Sequence, residues 1–504
     1  MATRKSIVLV TVDCLRADHV GFLGYERPTT PFLDSLAAES FVFPAAIVAG
    51  APTYYSFPAI LASRYPLALG RDVLGLAPGE ATLASVLKQG GYATASFGAA
   101  NPYISSRFGY EQGFDVFRDF LDDELNPLTD ETGRPSKPRG WASRLNRKLQ
   151  EIRPVLGPFK VVYDELYFQY CQRATPVSNS LDALRRFPAA NVIVDQACQW
   201  ITAAEAPFFL WLHLMDPHSP YYPTERALAL LGQDSVSPFR ARYLNSYWNR
   251  SDLRPQKLAR HRDEVIALYD AGIRWVDAQL ARLVEAMRKA NQWDSCIFAL
   301  TADHGEEFLD HGGRYHPPSR LTEELIHVPL LVRVPGNTKR EVVKSAFSLL
   351  HLAPTLLDAA QVPVPSAFQG RSYWPQVQEG ANFDAVAILE CVASCTNPFR
   401  PESRLGPRVL AVRETRYKLV LNFDPFAEHL YDLQSDPGER APLAPGAEKP
   451  VRRRLLEVAR THLARSIEQR DYEARVHAQL RGLQLEWARS SRRTAETQSS
   501  GNLE

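Results

Sequence analysis

Residues 6–13 read SIVLVTVD, an unbroken apolar and β-branched run that stops at an aspartate. A strand with one wet face would alternate apolar and polar side chains. This run does not, so both of its faces must be covered. The pattern returns in PFFLWLHLM (207–215), SCIFALTADHG (295–305) and HVPLLVRVPG (327–336). Helical stretches precede the first two, NVIVDQACQWITAAEA and DEVIALYDAGIRWVDAQLARLVEAMRKA. Buried strands alternating with helices predict an α/β fold, a mostly parallel sheet flanked by helices on both faces. Such sheets build their sites at the carboxyl ends of the strands. That is where Asp13, the segment His213–His218, Asp303 and His304 fall.

The chain has 504 residues, enough for one large α/β domain and a smaller one. At 45% hydrophobic and 23% charged it can bury a sizeable core. A net charge of +1 leaves no electrostatic footprint for nucleic acid. No run reaches the roughly 18 apolar residues of a membrane span, so no stable membrane insertion is expected. The first apolar run is also shorter than the core of about 7–15 residues of a signal peptide. Six cysteines are scattered; Cys391 and Cys395 stand close without forming a zinc pattern. They read as thiols of a reducing compartment, and a cytoplasmic location is expected.

The expected organisation is a catalytic domain over 1–374, interrupted by a charged, proline-bearing insertion or lid at 119–175. After about residue 375, short strands and turns (AVAILECVA, RVLAVRETRYKLVLNF, EHLYDL) predict a small antiparallel sheet at 375–448. A helix is expected over 449–490, with an apolar row at Val476, Leu480, Leu483 and Trp487, and a disordered tail over 491–504.

Four pieces carry the chemistry: Asp13, the turn GAPTYYSFPAILASRYP (50–66) with Thr53, the tripeptide Asp216–His218, and TADHGEEFLDHGGRYH (301–316). Singly, an aspartate after a strand is usually a helix cap, and a threonine at a helix start is usually an N-cap. Together they offer oxygen and imidazole donors from separate strand ends, the set that a hard or borderline divalent cation needs. A hydroxyl beside such a cation can attack as an alkoxide at neutral pH.

Several blocks in one order resemble the sulfatase family of the alkaline phosphatase superfamily: VTVDCLRADHVGFLGYERPTTPFLDSLA, FLWLHLMDPHSPYYPT, LTADHGEEFLDHG, LTEELIHVPLLVRVPG, HLAPTLLDAAQVPVP and YKLVLNFDPFAEHLYDLQSDPGE. The resemblance runs from residue 6 to about 443. It implies an alkaline-phosphatase-like sheet, and it places Thr53 where sulfatases carry the cysteine that becomes formylglycine. Ser56 keeps the family serine; Tyr55 and Phe57 replace its proline and arginine. A threonine there resembles the superfamily's phosphodiesterases and phosphoglycerol transferases, and Asp13–Cys14, where sulfatases often have two adjacent aspartates, resembles the phosphonate monoester hydrolase and phosphodiesterase branch. The resemblance implies one divalent metal ion (Mn2+, Zn2+, Mg2+ or Ca2+) on Asp13, Thr53, Asp303 and His304. It implies His218 on the substrate's anionic group or leaving oxygen, and His316 as the acid for the leaving group, with His311 as the alternative. Arg16 and Asn101 are expected to help bind substrate. For His213, a functional role and a backbone-bonded strand histidine both stay open, while His327 and His351 read as structural.

The implied activity is hydrolysis of phosphate or phosphonate esters of small anionic molecules through a phospho-threonine intermediate. A sulfuric ester hydrolase lacking formylglycine, a phosphotransferase and a catalytically silent binding relative are the alternatives. An oligomer is compatible with the sequence.

Overall fold

The computed structural model describes residues 4–71, 73–121, 160–174, 180–232, 236–383 and 385–466. The insertion expected at 119–175 therefore lies largely outside the described residues, apart from a helix over Lys160–Ala174. The apolar row at 476–487 and the tail at 491–504 also lie outside them.

Eight strands form the main sheet: β1 (Ser6–Val12), β2 (Phe41–Val42), β3 (Ala93–Gly98), β4 (Val116–Arg118), β5 (Phe208–Leu214), β6 (Cys296–Ala302), β7 (Leu330–Arg333) and β8 (Glu341–Val342). Their order is β8-β2-β7-β6-β1-β5-β3-β4. Only β7 runs antiparallel to its neighbours. Every side chain of β1, β5 and β6 is buried, which explains why their sequences do not alternate. The apolar segment FVFPAAIV (41–48) is split into two short strands. Pro44, which has no N–H to donate, lies between Phe41–Val42 and a second short strand, Ala46–Ile47, that belongs to another sheet.

Helices α1 (Pro31–Ala37), α2 (Thr53–Ala62), α3 (Ala190–Ala203) and α4 (Arg262–Lys289) position the strand ends. Pro31 opens α1 at a position where no intrahelical donor is needed. The N–H groups of Phe32 and Leu33 instead donate to Asp277 of α4, at 3.0 and 2.9 Å, which caps one helix with a side chain of another. Asp216 caps in the same way. It accepts from the Ala190 N–H at the start of α3 (3.0 Å) and from Arg185 Nη2 (2.8 Å). Of the tripeptide Asp216–His218, the aspartate is thus a structural anchor.

The C-terminal part is a four-stranded antiparallel sheet in sequential order: β9 (Ala387–Val392), β10 (Arg408–Arg413), β11 (Tyr417–Phe423) and β12 (Phe426–Asp432). Leu410, Val412, Leu419 and Leu430 pack on Val451, Leu455 and Ala459 of a helix over 449–466. Burying each such leucine or valine stabilises by about 1.5–3 kcal/mol. Glu390 of β9, fully buried, accepts from the Leu67 N–H (2.8 Å), meets His462 Nε2 at 3.0 Å and pairs with Arg408. One carboxylate so ties this sheet to the segment that follows α2 and to the helix over 449–466. All six cysteines are free thiols, and among the described residues no helix is long and apolar enough to cross a membrane.

Candidate active site

Strand register builds the site. Val12 of β1 is paired with Ala302 of β6 and Thr11 with His213 of β5. The next residues, Asp13 and Asp303, therefore leave the sheet side by side, and both are fully buried. His304 follows with Nδ1 against its neighbour's carbonyl, Gly305 O, at 2.8 Å. With the proton on Nδ1, the lone pair of Nε2 points inward. It lies 3.7 Å from Asp13 Oδ1, 3.6 Å from Asp303 Oδ2 and 3.2 Å from Thr53 Oγ1.

Thr53 is the first residue of α2, and the residue before it, Pro52, makes no side-chain cap. The hydroxyl is therefore not used as an N-cap; it faces His304. Asn101, just past β3, donates from Nδ2 to Asp13 Oδ2 at 2.9 Å, and His213 Nε2 faces the same oxygen at 3.3 Å. His213 is wholly buried, with Nδ1 3.0 Å from Thr11 Oγ1. It stands behind Asp13 and does not line the cavity.

These contacts leave charges unbalanced. Burial raises Asp13, but His218, His213 and His304 outweigh it and hold the carboxyl well below its ordinary range. Burial pushes Asp303 up, and the Asp13 charge adds to the shift. Asp303 Oδ2 is buried without a hydrogen-bond partner. Donor atoms of Asp13, Asp303 and His304 lie within 4.8 Å of one another. Two carboxylates, an imidazole nitrogen and a hydroxyl brought together around the unpartnered Asp303 Oδ2 fit a divalent cation.

His218 and His316 stand beside this group, with ring centroids 5.1 Å apart, and His316 lies 4.6 Å from the His304 ring. His218 Nδ1 sits on the Ser219 carbonyl, and burial lowers its pKa. Burial works against charge on His316 too, but Glu306, 3.2 Å from its Nδ1, raises it above its ordinary value. Glu306 and Cys14 were not singled out by the sequence. Cys14 Sγ lies 3.1 Å from Asp13 Oδ1 and 3.5 Å from His316 Nδ1. Its φ of 61° is a strained value for this residue type and marks the turn that ends β1.

Two expected site residues lie elsewhere. Arg16 is held by Asp18 (2.7 Å), Asp310 (2.9 Å) and the Glu306 carbonyl (2.9 Å). Its guanidinium is saturated and does not line the cavity over Thr53. His311 Nδ1 sits 2.9 Å from Glu324 Oε1, and its Nε2 faces the Glu439 carbonyl at 3.4 Å. The turn after Phe308 carries His311 to the boundary with the C-terminal sheet, so it cannot stand in for His316. A cavity of about 560 Å³ opens over Thr53, His218 and His316. Its walls include Tyr54, Met215, Arg314 and Tyr315 from the quoted motifs, and Tyr103 and Phe187, which no motif had marked.

The Sulfatase family profile matches residues 5–362, and the C-terminal profile of N-sulphoglucosamine sulphohydrolase matches residues 315–461. An arylsulfatase of Clostridium perfringens is 25% identical over 75% of this chain and 79% of its own length. The multifunctional alkaline phosphatase superfamily protein PehA of Trinickia caryophylli is 22% identical over 88% of this chain and 91% of its own. Among solved structures, a phosphonate monoester hydrolase of Silicibacter pomeroyi superposes with a TM-score of 0.64 at 20% identity, over 92% of this chain and 96% of that one. With the whole main sheet inside the first match, the chain belongs to the sulfatase family of the alkaline phosphatase superfamily and is a hydrolase.

Proposed function

We propose that the protein hydrolyses phosphate or phosphonate esters of the diester type, with Thr53 as the covalent nucleophile. The observation that carries this reading is the Thr53 hydroxyl. It begins a helix without capping it, and it lies 3.2 Å from His304 Nε2 beside two buried carboxylates. A divalent cation held by Asp13, Asp303, His304 and Thr53 would lower the pKa of that hydroxyl and screen an anionic ester. Thr53 Oγ1, its proton lost to solvent, forms the bond to phosphorus as the bond to the leaving oxygen breaks. His316 gives its proton to that oxygen, and Glu306, 3.2 Å from its Nδ1, favours the charged imidazole. Water then attacks phosphorus, returns a proton to His316 and releases Thr53. His218 lines the cavity on the same side and meets the anionic oxygens.

A sulfuric ester hydrolase is the second reading, supported by the arylsulfatase relative and the sulphohydrolase C-terminal match. The two separate in a rate assay of the metal-loaded protein on p-nitrophenyl sulfate, p-nitrophenyl phenylphosphonate and bis(p-nitrophenyl) phosphate. Faster cleavage of the phosphorus esters, lost on chelation and in Thr53→Ala, is expected. Preference for the sulfate ester would overturn the first reading in favour of the second.

A further inference from the structure

Asp13 divides its two carboxylate oxygens between different neighbours. Oδ1 lies 3.7 Å from His304 Nε2 and 3.1 Å from Cys14 Sγ. Oδ2 accepts from Asn101 Nδ2 at 2.9 Å and faces His213 Nε2 at 3.3 Å. A carboxylate without such partners could turn and exchange its oxygens. This one is held by two nitrogens on the same atom.

The pose of His213 is itself set by a line of buried groups. His213 pairs with Thr11 across β1 and β5, and Trp211 lies two residues earlier on the same face of β5. Trp211 Nε1, which can only donate, gives its hydrogen to Thr11 Oγ1 at 3.0 Å. That oxygen lies 3.0 Å from His213 Nδ1 and 3.2 Å from the Leu212 carbonyl, so its single hydrogen has two places to go. Asp13 decides between them. Its carboxyl is held well below the ordinary range and is ionised. A carboxylate can only accept, so His213 Nε2 carries a hydrogen. In the neutral ring Nδ1 is then the acceptor, and the Thr11 hydroxyl donates to it. Phe57 of α2, wholly buried, crosses His213 at 5.2 Å between centroids and 83°, and it meets Trp211 at 5.5 Å. Its packing fixes the plane of the imidazole as the hydrogen bonds fix the tautomer.

We infer that His213 is a positioning residue for the cation site: with Asn101 it pins Asp13 Oδ2 and so presents Oδ1 beside His304, while Thr11 and Trp211 hold its own tautomer. The inference rests on reading Asp13, Asp303, His304 and Thr53 as the cation's ligands, and it adds how one of them is aimed. His213 does not line the cavity, so its effect reaches the reaction only through Asp13.

The test is calorimetric titration of Mn2+ into the chelator-stripped protein at one fixed pH. His213→Phe keeps a buried ring and removes the donor; it should weaken Mn2+ binding by about 10–100-fold. Thr11→Val removes the hydroxyl without changing the side chain's shape, and it should lose affinity in the same direction and by less. His213→Gln, whose amide N–H can reach the same oxygen, should keep most of the native affinity. Thr94→Val is the control. Thr94 is a buried strand hydroxyl bonded to Asp115 at 2.9 Å, so this variant should lose stability and bind Mn2+ as the native protein does. Unchanged affinity in both His213→Phe and Thr11→Val, or an equal loss in Thr94→Val, would overturn the inference. A native protein that binds none of Mn2+, Zn2+, Mg2+ and Ca2+ would sink the cation reading, and the inference with it.

Discussion

Asp303 and Asp310 stand in the same stretch after β6, and their surroundings do opposite things. Burial opposes ionisation of Asp310, yet Arg16 overrides it and holds the carboxyl below its ordinary value. Asp303 has no such partner; burial and the neighbouring Asp13 push it up. The contrast extends to whole clusters. Around Asp310 the acids find cations: Arg16 on Asp18 and Asp310, His311 on Glu324, Arg413 and Lys418 on Glu323, and Lys418 again on Glu439 at 2.8 Å. Around Asp303 two carboxylate oxygens, Asp303 Oδ2 and Glu306 Oε2, are buried with no partner. A closed ion-pair network holds two parts of a fold together. An open one, at strand ends and under a cavity, is waiting for a charge from outside the chain. The same comparison disposes of a tempting alternative. Glu307, His311 and Glu324 bring donor atoms within 4.8 Å of one another. Arg320 and the N–H groups of His311 and Gly313 already occupy Glu307, and Thr322 and His311 occupy Glu324.

The largest effect that could break this contrast is on the open side. Thr53→Ala should lower kcat by on the order of 10⁴-fold or more with metal content unchanged. Near-normal turnover, measured on the purified and metal-assayed variant, would remove the nucleophile. On the closed side the expected loss is in stability. Lys418 is fully buried against Glu439 and Glu323, and Lys418→Met leaves both acids without it. Unfolding in denaturant should show a loss of about 3–5 kcal/mol, with kcat per folded molecule retained. A fall in kcat without a stability change would put Lys418 in the wrong cluster.

Metal removal comes next. A cation bound at 100 times its Kd stabilises by about 2.7 kcal/mol, so chelation should lower the melting temperature of the native protein. Asp303→Asn should be insensitive to chelator and to added metal. If the variant still melts higher with metal, the cation sits elsewhere.

The smallest effect is a pH dependence on the closed side. The hydrogen bond with Glu324 raises His311 above its ordinary value, with burial opposing. A raised folded value means that the contribution is fully present below about pH 6.5 and is lost as pH rises through the folded pKa. His311→Gln should flatten stability against pH across that window, by less than about 1 kcal/mol because the pair is partly wet, and should leave kcat unchanged. An altered pH–rate profile would return His311 to the chemistry.

What the sequence made legible follows from period and register. Runs such as SIVLVTVD and SCIFALTAD end at aspartates, and a parallel sheet must align those ends, so Asp13, Asp303 and His304 could be expected together. Thr53 and Asn101 came with the turn and the strand end that precede or follow their own elements. Arg16 and His311 lie close in sequence to the residues gathered around Thr53, but direction after a turn is not encoded in spacing, and both side chains are taken up by acids away from the cavity. Asp216 looked like half of a motif and is a helix cap. Tyr103 and Phe187 carry no motif, because their place in the site exists only in the cavity they line.

The central claim is covalent chemistry on Thr53, and acid-quenched mass spectrometry tests it most directly. The metal-loaded protein would be mixed with bis(p-nitrophenyl) phosphate, quenched within a turnover, digested, and its peptide spanning 50–66 sequenced. A phosphoryl ester on Thr53, absent without metal and absent in Thr53→Ala, is the expected result. Burst release of nitrophenol with Thr53 unmodified, or a phosphoryl group found on a histidine instead, would contradict the account.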